Sequence, residues 1–136
     1  MIEAIVWVLL LKDNNIFLLK NAIDNREEWT LVGGHVEFLE SLKSALKREI
    51  EEEVGVKVKE ENLIFQYIID RQLGTQHKIH FFFRTTDWEN DPCNKEVDRH
   101  LAGAWHSLNE LPTNLGPLAR RAIQSLNNDE LYDHVS

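Results

Sequence analysis

The sequence predicts a single α/β sandwich: a mixed central sheet with one helix in the middle of the chain and another near its end. Three observations carry this. Short apolar, β-rich segments recur from the N-terminus to residue 106; an amphipathic helical pattern interrupts them between Leu42 and Val54; and a second helical pattern follows at Leu115 to Leu126. The 136 residues suffice for one domain, residues 1–136, burying roughly two thirds of its unfolded surface. No internal repeat, low-complexity segment or interdomain linker divides it.

Ile2 to Leu11 is rich in Ile, Val and Leu and reads as a buried strand. Asp13-Asn14-Asn15 supplies a turn, and Ile16 to Lys20 returns as its hairpin partner. Asn21 to Glu28 is polar and reads as a loop, leading into the apolar segment Trp29 to Val32 and a sharp turn at Gly33-Gly34. Val56 to Val58 is a short edge segment, and Glu60-Glu61-Asn62 turns the chain. Leu63 to Arg71 and Lys78 to Thr85 form a second hairpin around Leu73-Gly74-Thr75-Gln76. Asp87 to Arg99 lacks periodicity and reads as a long functional loop. Leu101 to His106 gives one more strand. In the last helix Leu118, Ala119, Ala122, Ile123 and Leu126 fall at helical spacing, and Asn127 to Ser136 reads as a frayed polar end.

The middle helix holds the chemistry. Leu42, Leu46, Ile50 and Val54 make its apolar stripe, and Gly55 ends it. Beside the stripe, Glu49, Glu51, Glu52 and Glu53 are crowded together. Like charges three or four residues apart repel by roughly 0.2–0.5 kcal/mol per pair, and carboxylates late in a helix face the negative end of its dipole. A divalent cation would offset both. At about 100° per residue, Glu49, Glu52 and Glu53 fall within about 100° of arc while Glu51 points elsewhere. Carboxylate oxygens joined by a backbone carbonyl from the glycine pair are a magnesium donor set, which manganese also fits.

Gly34, five residues, Glu40, seven residues, then Arg48-Glu49-Ile50-Glu51-Glu52-Glu53-Val54-Gly55-Val56 fills every position of the pattern G-x5-E-x7-R-E-U-x-E-E-x-G-U, where U is a bulky aliphatic. With seven fixed residues, a chance match has odds on the order of one in a million. The chain thus resembles the Nudix hydrolases, and the resemblance implies their α/β/α sandwich with a mixed central sheet. It also implies Glu49, Glu52, Glu53 and the Gly33 carbonyl as metal ligands. Glu40 then orients the site, with Gly34 and Gly55 in structural places, and Arg48 acts as a fixed fork to Glu40 or a helix glutamate. Glu37 and His35 lie in the loop without a fixed place in the pattern. Val32 stands where a proline often precedes the glycines, and Leu39 where a glycine often precedes Glu40.

Downstream, Trp88 to Glu96 resembles the MutT-type loop W-E-G-E-P-x-G-K-E, which implies Glu96 as an auxiliary metal ligand or general base. Trp105 to Pro112 is similar to the Nudix ending W-x5-L-P. Phe81, Phe83, Trp7, Trp29 and Trp105 offer aromatic surface for a nucleobase, and Asn114 resembles a base-reading asparagine. Markers of the coenzyme A, NADH, ADP-ribose and dinucleoside polyphosphate subgroups are absent. The resemblance therefore implies a Mg2+-dependent (Mn2+ substituting) pyrophosphohydrolase of the MutT-like group, cleaving a nucleoside or deoxynucleoside triphosphate to monophosphate and pyrophosphate. The alternatives are a hydrolase of another nucleoside diphosphate derivative, such as a dinucleotide or nucleotide sugar, and a non-catalytic nucleotide-sensing or partner-binding domain.

A formal net charge of −8 argues against binding nucleic-acid polymers or anionic membranes, which takes basic patches, but leaves a small nucleotide open because a metal reverses the local sign. The single cysteine, Cys93, permits no internal disulfide and fits a reducing cytoplasm. Ala4 to Leu11 is too short to span a bilayer, and Met1-Ile2-Glu3 lacks the basic start of an export signal.

Overall fold

In the computed structural model, residues 1–23 and 26–136 are described. Strand β1 (Ile2–Lys12) is the spine of the fold. Its apolar run is buried on both faces, as expected of a strand covered by two layers. Val6, Val8 and Leu10 point to one side and Leu9 to the other. Asp13 and Asn14, at φ 50° and 64°, make a two-residue turn with both φ values positive, which matches strand twist. The chain then returns as β2 (Asn15–Ile23).

Strands β3 (Arg26–Thr30) and β4 (Val32–His35) follow, and helix α1 (Leu42–Val54) comes next. The hairpin of β5 (Ile64–Leu73) and β6 (Gln76–Thr85) precedes β7 (Ala102–Ser107), helix α2 (Pro117–Gln124) and β8 (Tyr132–Val135). A mixed sheet runs β4-β1-β6-β5-β8, with β1 parallel to β6 (Val6↔Phe81) and antiparallel to β4 (Val6↔Gly34). A smaller antiparallel sheet, β3-β2-β7, joins it where Leu11 pairs with Ile16. Helix α1 closes one core with Leu46, Ile50 and Val54 against Val6, Val8 and Phe83. Helix α2 closes the other with Ala119, Ala122 and Ile123 against Leu9, Tyr67 and Phe82. No helix among the described residues is long and apolar enough to cross a membrane.

Three sequence expectations are corrected. The polar stretch Asn21 to Glu28 is largely strand, with Asn21 opposite Glu28 and Ala22 opposite Glu27; Asp24 and Asn25 lie outside the described residues. Main-chain ladders form here whatever the polarity, because β3 is an edge strand whose side chains reach solvent. The polar C-terminus is not frayed throughout. Tyr132 pairs with Ile68 and His134 with Asp70 in parallel register, reinforced by Tyr132 Oη donating to Asp70 Oδ2 at 3.1 Å and by an Arg121–Asp133 ion pair.

The third correction concerns Gly33 and Gly34, which lie inside β4 rather than in a turn. They are needed for space. A Cβ on Gly33 would sit 2.1 Å from the Val6 carbonyl oxygen, and one on Gly34 would sit 2.4 Å from the Glu49 carboxyl carbon. The residue before Glu40 keeps a left-handed backbone although it is leucine: Leu39 has φ 70° and is 89% exposed. Gly33→Ala is expected to lower stability by about 1–3 kcal/mol, because its obstacle is backbone. Gly34→Ala should cost less, since its obstacle is the end of a flexible side chain. Urea midpoints of the two variants check the ordering, and equal midpoints would refute it.

Candidate active site

Helix α1 is set in place at both ends. The Ser41 hydroxyl accepts from the Ser44 N–H at 3.1 Å, and Gly55, at φ 71°, donates its N–H to the Glu51 carbonyl. Between these caps Leu46, Ile50 and Val54 are fully buried. Glu53 borders that stripe, so docking the helix carries its carboxylate inside, where it is 4% exposed.

Glu53 is received by β4. Its Oε1 accepts the Gly33 N–H at 2.9 Å, which leaves Oε2 free. Burial pushes its pKa up to about 8; the Gly33 hydrogen bond opposes that shift, while the nearby Glu49 and Glu96 charges add to it. Glu49 packs beside Gly34, and burial raises its pKa while Arg48 pulls it down.

Arg48 organises the remaining carboxylates. Its Nε and Nη2 donate to the two Glu40 oxygens at 2.7 and 2.8 Å, and its Nη1 donates to Glu49 Oε1 at 2.9 Å. Nη2 also reaches the His35 carbonyl at 3.2 Å, and Nη1 reaches Glu52 Oε2 at 3.4 Å. The bidentate fork, with a Glu37 N–H donated to Glu40 Oε1, holds the Glu40 pKa down at about 2. Glu52 is half exposed and Glu51 faces solvent.

The long loop after β6 is fastened to the end of α1 through main chain. Cys93 N–H donates to the Val54 carbonyl at 3.1 Å and Lys95 N–H to the Glu53 carbonyl at 2.9 Å, while Lys57 and Glu89 exchange both of their hydrogen bonds. Carbonyls that a helix end leaves unsatisfied are thereby filled. The clasp delivers Glu96, whose N–H is held by Asn94 Oδ1 at 3.1 Å. One helical turn follows, with the Arg99 and His100 N–H groups on the Glu96 carbonyl at 2.9 and 3.0 Å. His100 therefore returns to the side of Glu96, 6% exposed, its pKa lowered by burial.

Ligand-type atoms of Glu53, Glu96 and His100 lie within 4.8 Å of one another. Glu96 Oε1 is buried without a hydrogen bond, and a buried Glu53 with a raised pKa faces it. Two carboxylates with unfilled acceptor capacity fit a divalent cation. Sequence reasoning passed over His100; the four-residue spacing from Glu96 was its only signal.

Phe81 and Asn114 are not part of the Glu53–Glu96–His100 group. Alternation along β6 turns Phe81 into the α1-side core, and Asn114 Nδ2 donates to the Glu27 carbonyl at 2.7 Å. A cavity of about 490 Å3 opens on the α2 side, lined by Trp7, Phe82 and Leu118 with Arg71, Arg26 beside Glu28, and Arg121, which is paired with Asp133. Gly33 joins the two regions. Its N–H holds Glu53, and its missing Cβ makes room for the Trp7 ring, which would lie 2.8 Å from such an atom.

Metal-free protein should lose stability as pH rises. With the Glu53 pKa near 8 in the folded state and at its ordinary 4.5 in the unfolded chain, the folded state holds the extra proton between those values. The stabilisation is complete below about 4.5 and gone above about 8, a change on the order of a few kcal/mol. Thermal melts in EDTA across that range check this: Glu53→Gln should flatten the profile, and a wild-type profile already flat would refute it.

The NUDIX domain family profile matches residues 1–126. The chain is 28% identical over 111 residues to the 8-oxo-dGTP diphosphatase of Escherichia coli (strain K12), covering 79% of this chain and 81% of that protein. It is 35% identical over 95 residues to the 8-oxo-dGTP diphosphatase of Buchnera aphidicola subsp. Acyrthosiphon pisum (strain APS), covering 70% and 73%. Among solved structures, a MutT NUDIX hydrolase from Burkholderia pseudomallei superposes with a TM-score of 0.84 at 26% identity, covering 93% of this chain and 98% of that one. With the matching profile spanning nearly the whole chain and the box carboxylates Glu40, Glu49 and Glu52 gathered on Arg48, the chain belongs to the Nudix hydrolase family.

Proposed function

We infer that this protein is a divalent-metal-dependent hydrolase converting a nucleoside or deoxynucleoside triphosphate and water to the monophosphate and pyrophosphate. The observation that carries the reading is the adjacency, through Gly33, of a buried carboxylate centre and an aromatic cavity edged by arginines. The first suits a metal and a phosphate chain; the second suits a base and sugar. The relatives named 8-oxo-dGTP diphosphatase support the triphosphate class and place an oxidised guanine nucleotide among the substrates to test.

Glu53, Glu49 and Glu96 would hold the cation, with Glu52 and the Gly33 carbonyl completing the set. When bound, Mg2+ or Mn2+ supplies neutralisation of phosphate charge and acidification of water. Arg48 binds no substrate in this reading. It fixes Glu40 and Glu49 so that their negative charges do not splay apart. The Glu96 oxygen not engaged by the cation accepts the proton of the water that adds to phosphorus as the bridging P–O bond breaks. Trp7 and Phe82 offer the nucleobase an apolar wall, and the arginines offer cationic edges to its polar atoms.

Pyrophosphate release from a panel of unmodified, oxidised and methylated nucleoside triphosphates, dinucleotides and nucleotide sugars, with and without Mg2+ or Mn2+, tests the reaction. Metal-dependent pyrophosphate from a triphosphate is expected, and turnover confined to dinucleotides or sugars would overturn the substrate class. Glu53→Gln should reduce kcat by about 1,000-fold or more, while Glu96→Gln should lower kcat by about 100-fold with KM little changed. Unaltered kcat in Glu96→Gln would remove Glu96 from the proton transfer.

A further inference from the structure

We propose that His100 Nε2 is a nitrogen ligand to the divalent cation held by Glu53 and Glu96, so that this site takes Mn2+ in preference to Mg2+. The inference rests on the metal-dependent reading above and adds a residue outside the Nudix box and outside the MutT-type loop pattern.

Three observations carry it. His100 is 6% exposed. Its Nε2 faces Glu53 Oε2 at 3.6 Å, beyond hydrogen-bonding range. Glu53 satisfies its other oxygen on Gly33, so the two groups aim at a shared gap without bonding each other. A Glu96 carboxylate oxygen lies within 4.8 Å of the ligand-type atoms of both, and Glu96 Oε1 is buried without a hydrogen bond, with Arg99 Nη1 at 3.5 Å. A histidine serving only as packing would have no reason to direct a ring nitrogen at two carboxylates. A histidine serving as a hydrogen-bond donor to Glu53 would close to about 2.7–3.2 Å.

The loop geometry supports the same role. The turn that places the His100 N–H on the Glu96 carbonyl aligns the two side chains, and Asn94 Nδ2 fixes the His100 carbonyl at 2.8 Å. Both candidate ligands thus arrive on one braced segment, while Glu53 arrives from α1. Two carboxylates alone make a hard oxygen site suited to Mg2+. Replacing one water by imidazole moves the donor set towards Mn2+, Fe2+, Co2+ and Zn2+.

The test is pulsed EPR of Mn2+ bound to the full-length protein, prepared with ordinary and with 15N-labelled histidine. A directly coordinated histidine nitrogen is expected in the wild type and should vanish in His100→Gln, whose Mn2+ affinity should fall about tenfold. Mg2+ affinity, measured by competition with Mn2+, should fall less. Bound Mn2+ without a histidine coupling in the wild type overturns the inference and leaves the metal-hydrolase reading standing; so does a coupling unchanged in His100→Gln. A wild type that binds no Mn2+ or Mg2+ overturns both. The wild-type spectrum decides the question even if the variant fails to fold.

Discussion

The hydrogen bond from Gly33 N–H to Glu53 Oε1 is the constraint on which the rest of the site depends. A carboxylate is stable in a protein interior only when something inside replaces water, and one backbone donor replaces part of it. To make that donor available, β4 must lie close against β1, which excludes a Cβ at Gly33. To bring the acceptor there, α1 must seat its apolar stripe fully. Strand, helix and site therefore settle as one unit, and the electrostatic cost that remains at Glu53 is one that a cation held there would relieve.

Charge crowding on α1 is relieved by two different means. The sequence suggested a cation for Glu49, Glu52 and Glu53, with Arg48 as a fork to Glu40 or a helix glutamate. The structure divides the work: Arg48 ties Glu40 and Glu49 together, with a weaker reach to Glu52, while Glu53 and Glu96 are left facing each other with spare acceptor capacity. The residues bound by arginine form a fixed frame, and the residues left open keep oxygens available to a ligand.

What was legible in the sequence follows from range. Helix α1, its Gly55 stop, both hairpins and α2 rest on neighbours within a few residues, so periodicity and turn chemistry expose them. The Nudix box pointed to Glu49, Glu52 and Glu53, and their helical spacing sets them on adjoining positions of α1. Strands β3 and β8 escaped because their stability lies in ladders to β2 and β5, and their side chains carry no apolar pattern. Gly33 and Gly34 were seen, but their purpose was misread: glycine looks the same in sequence whether it frees a dihedral or vacates space. His100 and the Trp7–Phe82 cavity are assembled from segments far apart in the chain, where local pattern has no purchase.

The loop that carries Glu96 grips α1 through the peptide N–H groups of Cys93 and Lys95, and the Lys95 side chain lies over the Gly55 cap. The peptide part of that grip is indifferent to residue type as long as the backbone can donate. The side chain at Cys93 is thus free to drift while Glu96 stays registered to the helix.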